Sequence, residues 1–205
     1  CLDREEREEV KRFVVEVNQG KLPVLLGCGG NNTVAVVKEL QTMDLRGVDG
    51  ILSVCPYYNK PSQEGLYRHF KMIAENSPLP IVLYNVPGRT GVNISADTMY
   101  KLSKIDNIVA LKEASGNIEQ MIEIRKLCAD SISLLSGDDP LILPARIIGF
   151  EGVISVVANI VPKQISDFYK TPIDKANDIH EYLYDISINM FLEGPPFKVK
   201  EAIDI

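Results

Sequence analysis

The chain has few of the side chains that build metal and disulfide sites. Of its 205 residues only two are histidine and four are cysteine, and no two cysteines form a CxxC pair. A structural zinc site usually needs two close pairs of ligands, so we expect no bound metal. Scattered cysteines suit a reducing compartment better than a disulfide framework, which predicts a cytoplasmic protein.

Long apolar runs and basic runs are missing as well. No stretch approaches the roughly 20 consecutive apolar residues that span a bilayer. The opening segment CLDREEREEVKRF is typical of a charged helix rather than of a signal peptide. A net charge of −6 without a Lys/Arg-rich run argues against a nucleic-acid-binding surface. We therefore expect neither a membrane nor a nucleic acid as a partner.

The sequence contains instead an alternation of short apolar runs and segments with helical spacing. The runs are PVLLG from Pro23, GILSV from Gly50, IVLYN from Ile81, IVALK from Ile108, ISLLS from Ile132 and GVISV from Gly152. Between them, Ser95 is a predicted helix N-cap, and Ile118, Met121, Ile122 and Ile124 form a predicted core-facing stripe. Apolar strands separated by helices predict a parallel sheet that is covered on both faces.

Two α/β folds fit this pattern, a (β/α) barrel and a doubly wound sheet. The glycine-rich turn GCGGNNT, residues 27–33, lacks the third glycine of the nucleotide-binding GxGxxG pattern. It predicts a tight turn in which Asn31 or Asn32 caps the next helix. A closed barrel needs eight strands, so either the sheet is open or two strands lie upstream of Cys1. We predict a barrel region over residues 1–160 and a helical region over residues 161–205.

Unusual polar residues gather at the carboxyl ends of these predicted strands. They are Tyr57 and Tyr58 after GILSV, Tyr84 and Arg89 at and after IVLYN, Lys112 at the end of IVALK, and Asp138 and Asp139 after ISLLS. In a parallel α/β sheet all such ends lie on one face, which is where these folds place active sites. The convergence from four strands predicts an active site there.

Lys112 ends an otherwise apolar strand and has two interpretations. Its stem packs while its ammonium reaches water, or burial lowers its pKa and leaves a nucleophilic amine that forms a Schiff base with a ketone. Tyr84 favours the second, because it ends the preceding strand and a phenol there can transfer protons.

The other polar residues are more ambiguous. Arg89 is either a surface arginine or a planar fork that grips a carboxylate. Asp138 and Asp139 precede an apolar helical run, so we expect both to be helix caps. Glu113 lies on the opposite strand face from Lys112, which predicts a structural role.

Five motifs in order and spacing resemble the dihydrodipicolinate synthase family, within the class I pyruvate aldolase and N-acetylneuraminate lyase superfamily. They are PYYNKPSQEGLYRHF, LYNVPGRTG, LKEASG, LLSGDD and GVISVVANI, and the similarity extends through FLEGPPFKVKEAI. The resemblance implies a (β/α)8 TIM barrel with about six of its eight strands present. It also implies a lyase that condenses pyruvate with L-aspartate 4-semialdehyde, the entry step to diaminopimelate and lysine. No cofactor is implied, because pyruvate binds covalently as a Schiff base.

The resemblance also implies residue roles. Lys112 would form the Schiff base, Tyr84 would belong to a proton relay, Tyr58 would be contributed across a tight dimer interface, and Arg89 would bind the carboxylate of aspartate semialdehyde. Gly137 and the backbone around Ile154 would line the pyruvate pocket. Asn31 and Tyr57 would belong to a possible lysine-inhibition site. Members are commonly homotetramers built as dimers of dimers.

Three departures from the family pattern accompany this resemblance. The Gly-Thr-Thr-Gly-Glu motif, whose second threonine joins the relay, would lie upstream of Cys1, and the C-terminal region stops early. We therefore expect a fragment with low stability and little turnover. Arg4 and Arg7 replace histidines and Ala35 replaces an acidic residue of lysine-sensitive members, which predicts weak or no lysine inhibition.

Two alternatives stay open: another pyruvate-dependent aldolase, and a non-catalytic remnant that binds pyruvate without turnover.

Overall fold

The computed structural model describes residues 2–192 and 196–203 and contains a six-stranded parallel sheet. Its strands are β1 (Leu25–Gly27), β2 (Gly50–Val54), β3 (Ile81–Asn85), β4 (Ile108–Glu113), β5 (Ser133–Ser136) and β6 (Gly152–Val153). They are hydrogen-bonded in chain order, from β1 to β6. A doubly wound sheet reverses its strand order, whereas a (β/α) barrel does not. The sheet is therefore a half-barrel, as the alternation and the resemblance predicted.

Helices connect and cover these strands. They are α1 (Arg4–Asn18), α2 (Thr33–Thr42), α3 (Gln63–Asn76), α4 (Pro87–Thr90), α5 (Ala96–Leu102), α6 (Ile118–Cys128), α7 (Ile142–Ile148), α8 (Pro162–Lys170), α9 (Asn177–Phe191) and α10 (Phe197–Ile203). Short 3-10 turns occupy residues 139–141, 157–159 and 173–175. No helix in the described ranges is both long and apolar enough to cross a membrane.

The predicted N-caps can now be assigned. Ser95 caps α5, because its side chain accepts a hydrogen bond from the backbone N–H of Thr98. Of the two asparagines in the glycine-rich turn, Asn32 caps α2, whereas Asn31 donates to the carbonyl of Tyr57. Each cap fixes the residue at which its helix begins, and therefore the residue at which the preceding loop ends.

Two hydrophobic clusters hold the fold together. The larger lies between the sheet and the helices, where Leu83 and Leu111 of the strands and Phe70 of α3 are fully buried. The second lies beneath α8 and α9, where Phe168 and Leu183 pack with Val157. The helices after residue 160 thus contact the carboxyl end of the sheet through this second cluster.

The end of the predicted final helix, residues 204–205, lies outside the described residues, as does Cys1.

The strand register places the predicted site residues in one row. Tyr84 pairs with Lys112, Val54 pairs with Tyr84, and Lys112 pairs with Leu135. Because side chains alternate along a strand, this row points into the half-barrel while Glu113 points toward the helices. The predicted opposition of Lys112 and Glu113 is confirmed.

Two local predictions are wrong. Ile122 is 51% exposed, whereas Met121 and Ile124 are buried. At about 100° per residue, Ile122 lies roughly 100° around α6 from Met121 and so turns away from the core. The run GVISV is a strand only over Gly152–Val153, because the chain then leaves the sheet for the 3-10 turn at residues 157–159.

Candidate active site

Lys112 occupies the carboxyl end of β4 with only 9% of its surface exposed. Its Nζ lies 4.2 Å from the centroid of the Tyr84 ring. In the described part of the chain this ammonium has no hydrogen-bond or ion-pair partner. Burial therefore lowers the pKa of Lys112, and the charge of Asp139 opposes that shift. A buried lysine of this kind has a larger fraction of free, nucleophilic amine near neutral pH.

Because Gly137 has no side chain, it leaves room for the side chain of Lys112. A Cβ at this position would lie 2.8 Å from Lys112 Cε and 2.9 Å from its Cγ, and 3.0 Å from the Cβ of Ala114. Real Cβ atoms essentially never approach other atoms that closely. The Gly137 backbone also donates a 2.7 Å hydrogen bond to the carbonyl of Glu113. The predicted pocket residue thus contacts the predicted nucleophile.

Tyr84 and Arg89 lie on the neighbouring strand and the turn that follows it. Burial raises the pKa of the half-buried Tyr84, and the positive charge of Arg89 opposes this effect. Arg89 lies in the single turn α4, which ends at Gly91 with a φ of 73°, a backbone conformation that favours glycine. The structure thus brings Lys112, Tyr84 and Arg89 to one edge of the sheet.

Asp139 is a member of this edge that the sequence analysis misassigned. It is 2% exposed, and its Oδ2 accepts hydrogen bonds from the backbone N–H groups of Val156, at 2.8 Å, and Val157, at 3.3 Å. Its Oδ1 has no partner among the described residues. The predicted capping role is wrong for both aspartates, since neither side chain of Asp138 or Asp139 caps the helical segment that follows it. The true partners lie 17 and 18 residues downstream, beyond the reach of a local pattern.

The backbone around Ile154 lies beside the same edge. Ile154 donates a 2.9 Å hydrogen bond to the carbonyl of Ser136, the last residue of β5. Asp139 then holds the two N–H groups that follow. This segment is therefore anchored at both ends against the strand edge that carries Gly137.

Tyr57 and Tyr58 occupy the loop between β2 and α3 and face outward. Tyr58 is 90% exposed and has a φ of 72°, so almost none of its ring contacts this chain. The structure does not bring Tyr58 to Lys112. It does bring Asn31 to Tyr57, because the Asn31 amide donates to the Tyr57 carbonyl at 3.2 Å and Asn59 donates back to Asn31 at the same distance.

Charged side chains at this edge do not form a metal centre. In the described ranges there is no group of three or more histidine, cysteine, aspartate or glutamate residues that could hold a metal ion. The edge instead presents the Lys112 amine, the Tyr84 phenol, the Arg89 guanidinium and the carboxylates of Asp138 and Asp139. Such a set can bind a carbonyl compound covalently and move protons around it.

Comparison with known proteins agrees with this geometry. The chain matches the Dihydrodipicolinate synthetase family over residues 1–205. It is 45% identical over 205 residues to the 4-hydroxy-tetrahydrodipicolinate synthase of Pelobacter propionicus, covering 98% of this chain and 71% of that protein.

Two solved structures have the same fold. The dihydrodipicolinate synthase of Aquifex aeolicus is 43% identical with a TM-score of 0.92, covering 98% of this chain and 71% of that one. The enzyme of Thermotoga maritima is 36% identical with a TM-score of 0.94, covering 100% and 72%. A match of this extent in both sequence and fold is more than a shared barrel architecture requires. The chain belongs to the dihydrodipicolinate synthetase family.

Proposed function

We propose that this chain is a lyase that binds pyruvate as a Schiff base on Lys112 and condenses it with L-aspartate 4-semialdehyde, forming 4-hydroxy-tetrahydrodipicolinate for diaminopimelate and lysine biosynthesis. The observation that carries the proposal is that the buried residue Lys112 has no hydrogen-bond or ion-pair partner for its Nζ among the described residues, and that this Nζ lies 4.2 Å from the centre of the Tyr84 ring. Family membership supplies the identity of the substrates.

The lysine amine performs the covalent step without a cofactor. Its lone pair attacks the ketone carbon of pyruvate, and the carbonyl oxygen takes up a proton to give a carbinolamine. Loss of that oxygen as water leaves an iminium. We assign the proton transfers of both steps to Tyr84, because its ring centre lies 4.2 Å from the amine and a phenol can donate and accept protons. Removal of a methyl proton then gives an enamine, whose carbon attacks the aldehyde of the second substrate, and the resulting alkoxide takes up a proton. The amino group of that substrate then attacks the iminium carbon, which closes the ring and releases the Lys112 amine.

Arg89 is the proposed receptor for the carboxylate of aspartate semialdehyde. It lies on the turn that directly follows β3, the strand that ends with Tyr84 and Asn85. A planar fork binds a carboxylate through two parallel hydrogen bonds. Gly137 and the backbone of Ile154 complete the proposed pyruvate pocket on the other side of Lys112.

Assembly and regulation are further parts of this proposal. An exposed Tyr58 is suited to reach the site of a second copy, so we assign this enzyme a tight dimer within a homotetramer. Asn31 and Tyr57 form the proposed lysine-inhibition site, weakened by the absence of a carboxylate at Ala35. The buried free thiols of Cys28, Cys55 and Cys128 support a reducing, cytoplasmic location.

Borohydride trapping tests this function. The protein is incubated with pyruvate, reduced, and analysed by intact mass and peptide mapping. We expect one pyruvate adduct on Lys112, whose yield falls as aspartate semialdehyde is added and consumes the enamine. Absence of the adduct, or an adduct on another lysine, would overturn the proposal.

A further inference from the structure

Directly behind the Lys112 row, on the helix-facing side of the sheet, lies a buried network of polar side chains. Its four members are Glu113 on β4, Asn85 on β3, Asn93 in the loop before α5, and Gln120 on α6, and we call them the Glu113 network. Glu113 is 1% exposed, Asn85 is fully buried and Gln120 is 8% exposed. Neither the sequence motifs nor the proposed chemistry assigns these amides a role.

Two backbone donors set the direction of the hydrogen bonds at Asn85 and Glu113. The Ile94 N–H donates to Asn85 Oδ1 at 3.1 Å, so the Asn85 amide nitrogen must point the other way. That nitrogen donates to Asn93 Oδ1 at 2.7 Å and to Glu113 Oε2 at 2.9 Å. The Ser115 N–H in turn donates to Glu113 Oε1 at 2.6 Å. A flip of Asn85 would lose its backbone partner, and a flip of Asn93 would place Asn93 Nδ2 against the Asn85 donor.

Gln120 closes the network into a ring. Its Oε1 accepts from Asn93 Nδ2 at 2.6 Å, and its Nε2 donates to Asn93 Oδ1 at 3.2 Å and to Glu113 Oε2 at 3.4 Å. Every side-chain polar atom of the four residues therefore has a partner. Burial raises the pKa of Glu113, and the hydrogen bonds from Ser115 and Asn85 oppose that shift. A fully satisfied buried network of this kind rigidifies the elements that it joins.

The elements joined are those that carry the proposed site. Glu113 follows Lys112 directly, and Asn85 follows Tyr84 directly. Asn93 lies in the loop that begins at α4, where Arg89 is located. Outside the ring, Gln63 at the start of α3 donates to the Asn93 carbonyl at 2.8 Å and accepts from the Ser95 N–H at 3.0 Å, which extends the bracing toward the loop of Tyr57 and Tyr58.

We propose that the Glu113 network is the positioning device that holds Lys112 and Tyr84 in register with the Arg89 turn, so that the iminium and the carboxylate receptor keep one fixed separation. This inference rests on the proposed function. Glu113, Asn85, Asn93 and Gln120 act through their neighbours and do not touch substrate. Asn93 sets the Arg89 side and hence the second substrate, whereas Glu113 sets the lysine side and hence pyruvate.

The experiment uses borohydride trapping on the full chain. The half-saturating pyruvate concentration reports the lysine side, and the concentration of aspartate semialdehyde that halves the trapped adduct reports the Arg89 side. For Asn93→Ala we expect the second value to rise about tenfold while the first changes less than twofold, since a small misplacement of a binding group is costly. Gln120→Ala shows the same split with a smaller rise. Glu113→Gln places an amide donor against the donors of Asn85 or Ser115, and we expect adduct formation to slow about tenfold.

Asn107→Ala is the matched control. The Asn107 amide donates to the carbonyls of Ala74, Ser77 and Leu79 just before β4 begins, at the opposite end of the same strand. A merely structural network predicts that Asn93→Ala and Asn107→Ala lower stability and leave both concentrations unchanged in the folded protein. Equal behaviour of the two variants, with a normal wild-type adduct, would overturn the inference alone. A wild-type chain without an adduct, or with an adduct that the semialdehyde does not consume, would overturn the proposed function and the inference with it.

Discussion

Lys112 and Glu113 are consecutive residues on β4, both buried and both ionisable, yet their side chains lie on opposite faces of the strand and differ in their hydrogen-bond partners. Lys112 faces the half-barrel, where its Nζ meets the Tyr84 ring and no acceptor among the described residues. Glu113 faces the helices and accepts from three donors. Burial disfavours the charged form of each group. Of the two residues, only Lys112 lacks a hydrogen-bonded partner among the described residues. We call the side of the sheet that carries Lys112 and Tyr84 the reactive face, and the side that carries the Glu113 network the bracing face.

The first prediction tests whether the reactive face depends on a single amine. Lys112→Ala should abolish the trapped pyruvate adduct, because it removes the amine to which the proposal assigns the Schiff base. Lys104→Ala is the control, since Lys104 also lies over a tyrosine ring, with its Nζ 4.7 Å from the centre of Tyr100, but it bonds to Ser131 in an exposed setting. An adduct that survives Lys112→Ala, as shown by peptide mapping, would contradict the assignment.

Removing the phenol beside the amine should have the next largest effect. Tyr84→Phe keeps the ring under Lys112 and removes only the hydroxyl, and we expect adduct formation to slow about 100-fold. Tyr100→Phe removes a hydroxyl from the exposed pair and should change nothing. Trapped yield against time in rapid-quench experiments gives both rates. Equal rates for wild type and Tyr84→Phe would remove Tyr84 from the relay.

Filling the space beside the lysine should weaken the site by a smaller factor. Gly137→Ala would place a Cβ 2.8 Å from Lys112 Cε, so the side chain must move. We expect a fall of about tenfold in the rate of adduct formation. Gly88→Ala is the matched control, because a Cβ there meets nothing within 4 Å. An unchanged rate in Gly137→Ala would show that the lysine is not held by this contact.

The smallest expected effect concerns the charge of Asp139. Its carboxylate favours the ammonium form and opposes the lowering of the Lys112 pKa. Asp139→Asn removes the negative charge and keeps an oxygen for the Val156 N–H. The Lys112 pKa should therefore fall further, and the rise of adduct rate with pH should shift to lower pH. A shift to higher pH would contradict the sign of this interaction.

The strands and the reactive row were predictable from the sequence, whereas the bracing face was not. Apolar runs that end on Tyr84 and Lys112 mark both their burial and their shared edge, because parallel strands end together. Asp139 and the Glu113 network were missed because their partners are distant along the chain. Asn93 and Gln120 are 27 residues apart, and Asp139 bonds 17 residues downstream. Polar residues with distant partners resemble ordinary caps and loop residues when only local spacing is examined.

The central claim is that Lys112 is buried on the half-barrel face without a hydrogen-bond or ion-pair partner among the described residues. Its pKa is the most direct test. A pH titration of the Lys112 Cε chemical shift in the unliganded wild-type protein, assigned by loss of the signal in Lys112→Ala, measures this value. The account predicts a midpoint below the ordinary lysine value, because burial is the largest influence on this group. A midpoint at or above the ordinary value would show that the ammonium is solvated or paired, and would contradict the account.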